Sequence, residues 1–148
     1  PNAINEQPWT FTVVRDRRVL DQLSRAAKLH MLATSPQEIE VFRSELEDPQ
    51  FELFYHAPAL IVISGRSAGP WMTEDCSLAA ENLMLAAYAE QLGTCWIGFA
   101  QGYLNTAEGK AAIGIPEAWI PVAPIIVGRP QHASAPVSRK DPEIRWVG

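Results

Sequence analysis

Few side chains in this sequence have the type and spacing that side-chain catalysis requires. His30, His56 and His132 are dispersed, falling in a helical pattern, before an apolar run and in a Pro-rich arm, and no spacing gathers them on a metal. Asp75 and Glu81 stand six apart, so they do not share a helix face as a carboxylate pair would. No G-x-S-x-G, P-loop or G-x-G-x-x-G occurs. No residue is assigned as an essential acid or base, and no metal site is expected.

What remains is a set of amides, bare backbone and late positive charge. Asn5 and Gln7 lie in the opening stretch, Ile97 and Gly98 follow Trp96, and Arg139 and Lys140 form a basic pair near the end. That inventory suits a bound cofactor that itself carries the reactive centre. Such a group needs from the protein only orientation, hydrogen bonds to its ring and a counter-charge for a phosphate. Asn5 and Gln7 can supply the amides, Ile97 and Gly98 the backbone, and Arg139 the charge. On residue types alone, the reading favoured for Asn5 and Gln7 is a capped turn, and for Trp96 to Gly98 a tight turn rather than a seat for a planar ligand.

The element that must position these groups is Thr73 to Gly98, TEDCSLAAENLMLAAYAEQLGTCWIG, which holds the longest uninterrupted helical pattern in the chain. From Leu78 to Leu92 apolar residues fall on almost every face, as in a helix enclosed by other protein. Thr73 or Asp75 is expected to cap its start, and Gly93 to provide the left-handed residue that ends it. Thr94 to Gly98 reads as a short β-prone segment.

Around it, Thr10 to Val14 alternates as a strand, and Asp16 to Leu32 has Val19, Leu20, Leu23, Ala26, Ala27 and Leu29 at helical spacing. Ser35-Pro36-Gln37-Glu38 has the form of a capping box opening a second helix to about Glu47, and Asp48-Pro49 a third helical piece to about Tyr55. Pro58 to Ser64 is a continuous apolar run, the pattern of a strand buried on both faces. Phe99 to Leu104 reads as irregular, and Asn105 or Thr106 caps a short helix to Ala112. Trp119 to Val127 reads as a strand in which Pro121 and Pro124 demand an edge or a bulge for part of its length. The Pro-, Ser- and Ala-rich stretch from Gln131 to Pro142 leads to a short β-prone segment, Ile144 to Val147, with the reach to pair with its own sheet or to cross to a second chain.

With 148 residues and 47% apolar content, one domain spanning 1–148 is expected. A net charge of −5 with scattered basic residues argues against nucleic acid or an anionic membrane surface. No run of about 18 apolar residues and no signal-peptide pattern is present, so a soluble, cytoplasmic protein is expected. Cys76 and Cys95 lack metal or redox spacing.

Several stretches together resemble the FMN-dependent nitroreductase family. They are P-x-x-x-N-x-Q-P-W at Pro1 to Trp9, H-A-P-x-L-I-V-I at His56 to Ile63 and D-x-x-L-A-A-x-N-L-x-L-A-A at Asp75 to Ala87. L-G-T-C-W-I-G at Leu92 to Gly98, I-G-I-P-E at Ile113 to Glu117, V-G-R-P from Val127 and S-R-K ending at Lys140 follow in the family's order. The resemblance implies an α+β fold, a three-layer sandwich whose mainly antiparallel sheet is flanked by helices. It implies an intertwined homodimer with an exchanged C-terminal strand, residues 131–148 forming the arm that reaches the partner subunit. It implies FMN at the subunit interface, NADH or NADPH as donor, and nitroaromatics, quinones or similar acceptors reduced in a ping-pong scheme. By residue, it implies that Asn5 contacts the flavin ring with Gln7 beside it, that the Trp96, Ile97 and Gly98 turn faces the ring, and that Arg139, assisted by Lys140, meets the phosphate. Reduction of enones, deiodination and flavin fragmentation are alternatives within the same chemistry.

The family normally opens with a helix and a basic, Arg- and Ser-containing motif that grips the phosphate, and this sequence begins after that point. A second expectation, of a different class, follows: a catalytically silent flavin-binding or dimeric interaction protein that has lost this clamp.

Overall fold

The computed structural model describes residues 1–34, 39–132 and 137–148. A 3-10 turn at Ala3–Asn5 precedes strand β1 (Trp9–Val14) and helix α1 (Arg17–Thr34). A 3-10 turn at Glu40–Phe42 runs into helix α2 (Arg43–Glu47), and strand β2 (Ala59–Gly65) leads to helix α3 (Met72–Ala89). Strand β3 (Gly93–Trp96), a 3-10 turn at Gly98–Ala100, helices α4 (Gln101–Leu104) and α5 (Ala107–Ala112) and strand β4 (Ile120–Gly128) complete the series.

The strands form one antiparallel sheet in the order β1-β2-β4-β3. Its alternating side chains feed a core on each face. Leu60, Val62 and Ile126 pack with Leu20, Leu23 and Ala27 of α1 and with Leu104 of α4. Ile63, Ala123 and Ile125 pack with Met72, Cys76 and Ala80 of α3. The result is an α+β sandwich of three layers, helix, sheet and helix. Each fully buried Leu or Ile contributes roughly 1.5–3 kcal/mol relative to exposure, so the two cores hold the layers together.

Pro121 and Pro124 are accommodated as the sequence requires. Strand β3 pairs only with Ile125 to Gly128, which leaves the first half of β4 as an edge on that side. There the Pro124 carbonyl accepts from the Ile97 N–H at 2.8 Å and the Pro121 carbonyl from Asn105 Nδ2 at 2.8 Å. A bulge between Ile63 and Ser64 of β2 falls opposite the same stretch.

Four local expectations are corrected. Helix α3 is preceded by Trp71 with no side-chain cap, so Thr73 and Asp75 lie inside its first turn. It ends on Gln91 at φ 58°, with Gln91 N–H bonded to Tyr88 O and Leu92 N–H to Ala87 O, and Gly93 instead opens β3. Residues 48–55 form hydrogen-bonded turns rather than a third helix, because Asp48 Oδ1 accepts from Gln50 N–H and Tyr55 and His56 take φ of 50° and 56°. Gln101 to Leu104 is a helical turn, not irregular. The capping box Ser35 to Glu38 lies outside the described residues; of the helix expected to about Glu47, the described part is the Glu40–Phe42 turn and α2.

The expected enclosure of α3 is half present in one chain. Met72, Cys76, Ala80 and Ala87 are buried, while Leu78, Leu85 and Tyr88 are 42%, 58% and 82% exposed. The sheet covers only one side of a helix that is apolar on nearly all sides. Ile144 to Val147 joins no strand among the described residues, and Trp146 is 91% exposed. Residues 133–136 of the expected arm lie outside the described residues. No described helix is long and apolar enough to cross a membrane.

Candidate functional site

The predicted residues gather in two places. The first is the turn before β1, where Ile4, Asn5 and Gln7 take φ of 41°, 58° and 51°. Such values are uncommon without glycine, and here internal bonds define them. Asn2 Oδ1 accepts from Gln7 N–H at 3.1 Å, Glu6 N–H donates to Ala3 O at 3.1 Å, and Gln7 Nε2 donates to Asn5 Oδ1 at 2.9 Å. Asn5 and Gln7 are thus joined and exposed, in a turn docked on the body by Ala3 N–H to Asp75 Oδ1 and Arg66 N–H to Pro8 O. Beside the turn a cavity of about 390 Å³ opens between Glu6 to Pro8 and the loop Arg66 to Pro70.

The second place is the turn after β3. Trp96 is partly exposed and Ile97 is buried, its N–H taken by Pro124 O. At Gly98 a Cβ would meet nothing within 4 Å. The N–H groups of Gly98 and Phe99 have no acceptor among the described residues, and the backbone at Gly98 borders open space. That space is a cavity of about 230 Å³ lined by Leu53, Tyr55, Cys95, Trp96, Ile97, Gly98 and Phe99. Its lining is aromatic and apolar without an ionisable carboxylate or amine. The bare backbone, free donors and flat apolar walls fit one face and edge of a planar heteroaromatic ring.

Arg139 and Lys140 are exposed in the stretch after β4 and line neither cavity. The structure therefore unites Asn5 with Gln7, and Trp96 with Ile97 and Gly98, but in one chain the two turns border different cavities.

Residues outside the predicted set shape the second cavity. Leu53 and Tyr55 form one wall, and α1 holds that wall. Ser24 Oγ accepts from Leu53 N–H at 2.9 Å, and the buried Lys28 donates to Asp48 O at 2.7 Å and Phe51 O at 2.6 Å. Arg17 Nη2 donates to His56 Nδ1 at 2.8 Å at the same turn. The signal in the sequence was two polar residues, Ser24 and Lys28, on the apolar stripe of α1. On the other face of the sheet, burial and then the charge of Asp75 push the Cys76 thiol up to about 11. Among the described residues no cluster of His, Cys, Asp and Glu could hold a metal ion.

Comparison with known proteins gives a consistent picture. The model of the nitroreductase family matches residues 1–129. A protein of Archaeoglobus fulgidus, provisionally named an NADH dehydrogenase/NAD(P)H nitroreductase, is 31% identical over 88% of this chain, which spans 66% of that relative's length. The crystal structure of a nitroreductase with bound FMN from Bacteroides fragilis superposes with a TM-score of 0.85 at 24% identity, covering all of this chain and 80% of the other. A nitroreductase with bound FMN from Desulfitobacterium hafniense gives 0.81 at 21% identity with the same coverage.

Proposed function

The chain belongs to the nitroreductase family, and from that premise we propose that it is an FMN-dependent oxidoreductase passing electrons from NADH or NADPH to nitroaromatic, quinone or similar acceptors by a ping-pong mechanism. The observation that carries the reading is the turn at Gly98, whose bare backbone borders an aromatic-lined cavity. FMN in the two solved relatives and the NAD(P)H in the name of the archaeal one support the cofactor and the donor.

The working unit is proposed to be a homodimer in which the whole chain acts as one FMN-binding domain. A cavity of about 230 Å³ is below the roughly 300–1,000 Å³ of ligand sites, so one chain supplies only part of the enclosure. The Asn5 and Gln7 turn of one chain complementing the Gly98 turn of another would complete it. The uncovered face of α3 is the surface for this pairing, and residues 131–148 form the arm that reaches the partner subunit. The free thiols of Cys76 and Cys95 suit a reducing, cytoplasmic setting.

When bound, FMN supplies hydride acceptance from the nicotinamide and electron delivery to the second substrate. The protein's part is to hold and shield the ring. The backbone of Gly98 and Phe99 and the amides of Asn5 and Gln7 would hold and orient the ring, and Tyr55 and Trp96 would shield it from water. Arg139 and Lys140 would provide the counter-charge for the phosphate. No side chain is assigned to proton transfer, so solvent supplies the proton.

The test is oxidation of NADH or NADPH by the FMN-loaded protein with a nitroaromatic or a quinone. Acceptor-dependent turnover with parallel double-reciprocal lines is expected. Tight FMN retention with no turnover would instead mark a catalytically silent flavin-binding protein.

A further inference from the structure

We propose that Asp75 is a positioning residue whose carboxylate, buried in the first turn of α3, fixes the N-terminal turn in the conformation that presents Asn5 and Gln7. The inference rests on the reading of those amides as ring contacts given above. Asp75 is 2% exposed, and its Oδ1 accepts from the Ala3 N–H at 2.9 Å, a contact between residues 72 apart in sequence. Its Oδ2 is buried with no hydrogen-bond partner among the described residues. A carboxylate held there is not explained by helix capping, because it follows the helix start and caps no N–H of α3. Its location at the positive end of the α3 dipole offsets part of the cost of burying it.

The need for such an anchor lies in the turn's backbone. Ile4, Asn5 and Gln7 all take left-handed φ, and three such residues without glycine persist only where surroundings over-determine them. The bonds from Asn2 to Gln7, Glu6 to Ala3 and Gln7 to Asn5 close the turn on itself and leave its placement on the body undetermined. Among the described residues, the side-chain hydrogen bond that ties the turn to the body is the one Asp75 accepts. Ala3 opens the 3-10 turn that ends at Asn5, so fixing the Ala3 N–H fixes the direction in which Asn5 projects.

A double-mutant cycle tests this through FMN affinity, read by flavin fluorescence on the protein carrying Asp75→Ala, Asn5→Ala or both. Losing a hydrogen bond to a charged group predicts about tenfold weaker FMN binding for Asp75→Ala. The double variant is expected to bind no more weakly than the weaker single one, because both act through one contact. Asp75→Asn keeps the acceptor oxygen and is expected to restore affinity to within about threefold of the wild type.

Where Asp75→Ala does not fold, Ala3→Pro replaces it. That change deletes the donor N–H at the first position of a turn whose preceding residue, Asn2, is already extended at φ −158° and ψ 157°, as a residue before proline prefers. The same loss of affinity is expected. Wild-type FMN affinity in Asp75→Ala or Ala3→Pro, or additive losses in the double variant, overturns the positioning role while leaving the function intact. A wild-type protein that binds no FMN overturns both.

Discussion

A methyl group added at Gly98 would meet nothing within 4 Å, and its backbone lies outside the left-handed region, so Gly98→Ala leaves the fold intact. If the ring of FMN lies against this turn, the methyl group separates it from the Gly98 and Phe99 N–H donors. The expected result is an unchanged melting temperature with FMN bound about tenfold more weakly, about 1.4 kcal/mol. The cysteines make a second pair of residue-scale expectations. Cys95 is exposed in the candidate cavity, whereas Cys76 is enclosed and its thiol is pushed up to about 11 by burial and Asp75. Iodoacetamide at neutral pH should therefore alkylate Cys95 and spare Cys76, and FMN should protect Cys95. Between 9.0 and about 11 the unfolded chain releases the Cys76 proton and the folded chain keeps it, so stability falls as pH rises through that window. A Cys76→Ala variant should lack that component of the fall in denaturant midpoint.

At the scale of elements, the wall formed by residues 48–55 depends on α1 more than on its own sequence. Removing the ammonium in Lys28→Met leaves the Asp48 and Phe51 carbonyls without their donor and should cost about 2 kcal/mol, read by urea denaturation. The wall was missed in the sequence for the same reason: Asp48-Pro49 suggested a helix start, and the winning contacts come from Ser24 and Lys28, far upstream on α1. Strand β1 and helix α1 were legible from alternation and helical spacing, β2 from its continuous apolar run, and α3 from the length of its helical pattern. The end of α3 was not, since Gly93 advertised a helix stop while Gln91 took the left-handed position, and Gly93 was needed at the start of β3. Pro121 and Pro124 announced an edge or a bulge, and β4 has both: an edge because β3 stops short of them, and a bulge in its pairing with β2 on the other side.

At the scale of the whole molecule, the candidate site was legible only by resemblance. Asn5 and Gln7 by themselves suit a plain turn, and in one chain their turn and the Gly98 turn border separate cavities. Local pattern cannot report a site that, as proposed, a second copy would complete. The uncovered apolar face of α3 makes the assembly testable: Leu85→Glu changes a 58% exposed side chain, so the fold should survive it. The variant should shift the protein from dimer to monomer in sedimentation and lose FMN with it, since the charge opposes burial of that face. Whether the protein works as a flavoprotein is decided by its visible spectrum after FMN is added and the excess removed. A yellow protein holding one FMN per chain is expected, bleached anaerobically by NADH or NADPH and recoloured by a quinone. A protein that remains colourless, or a bound flavin that neither nucleotide reduces, would contradict it.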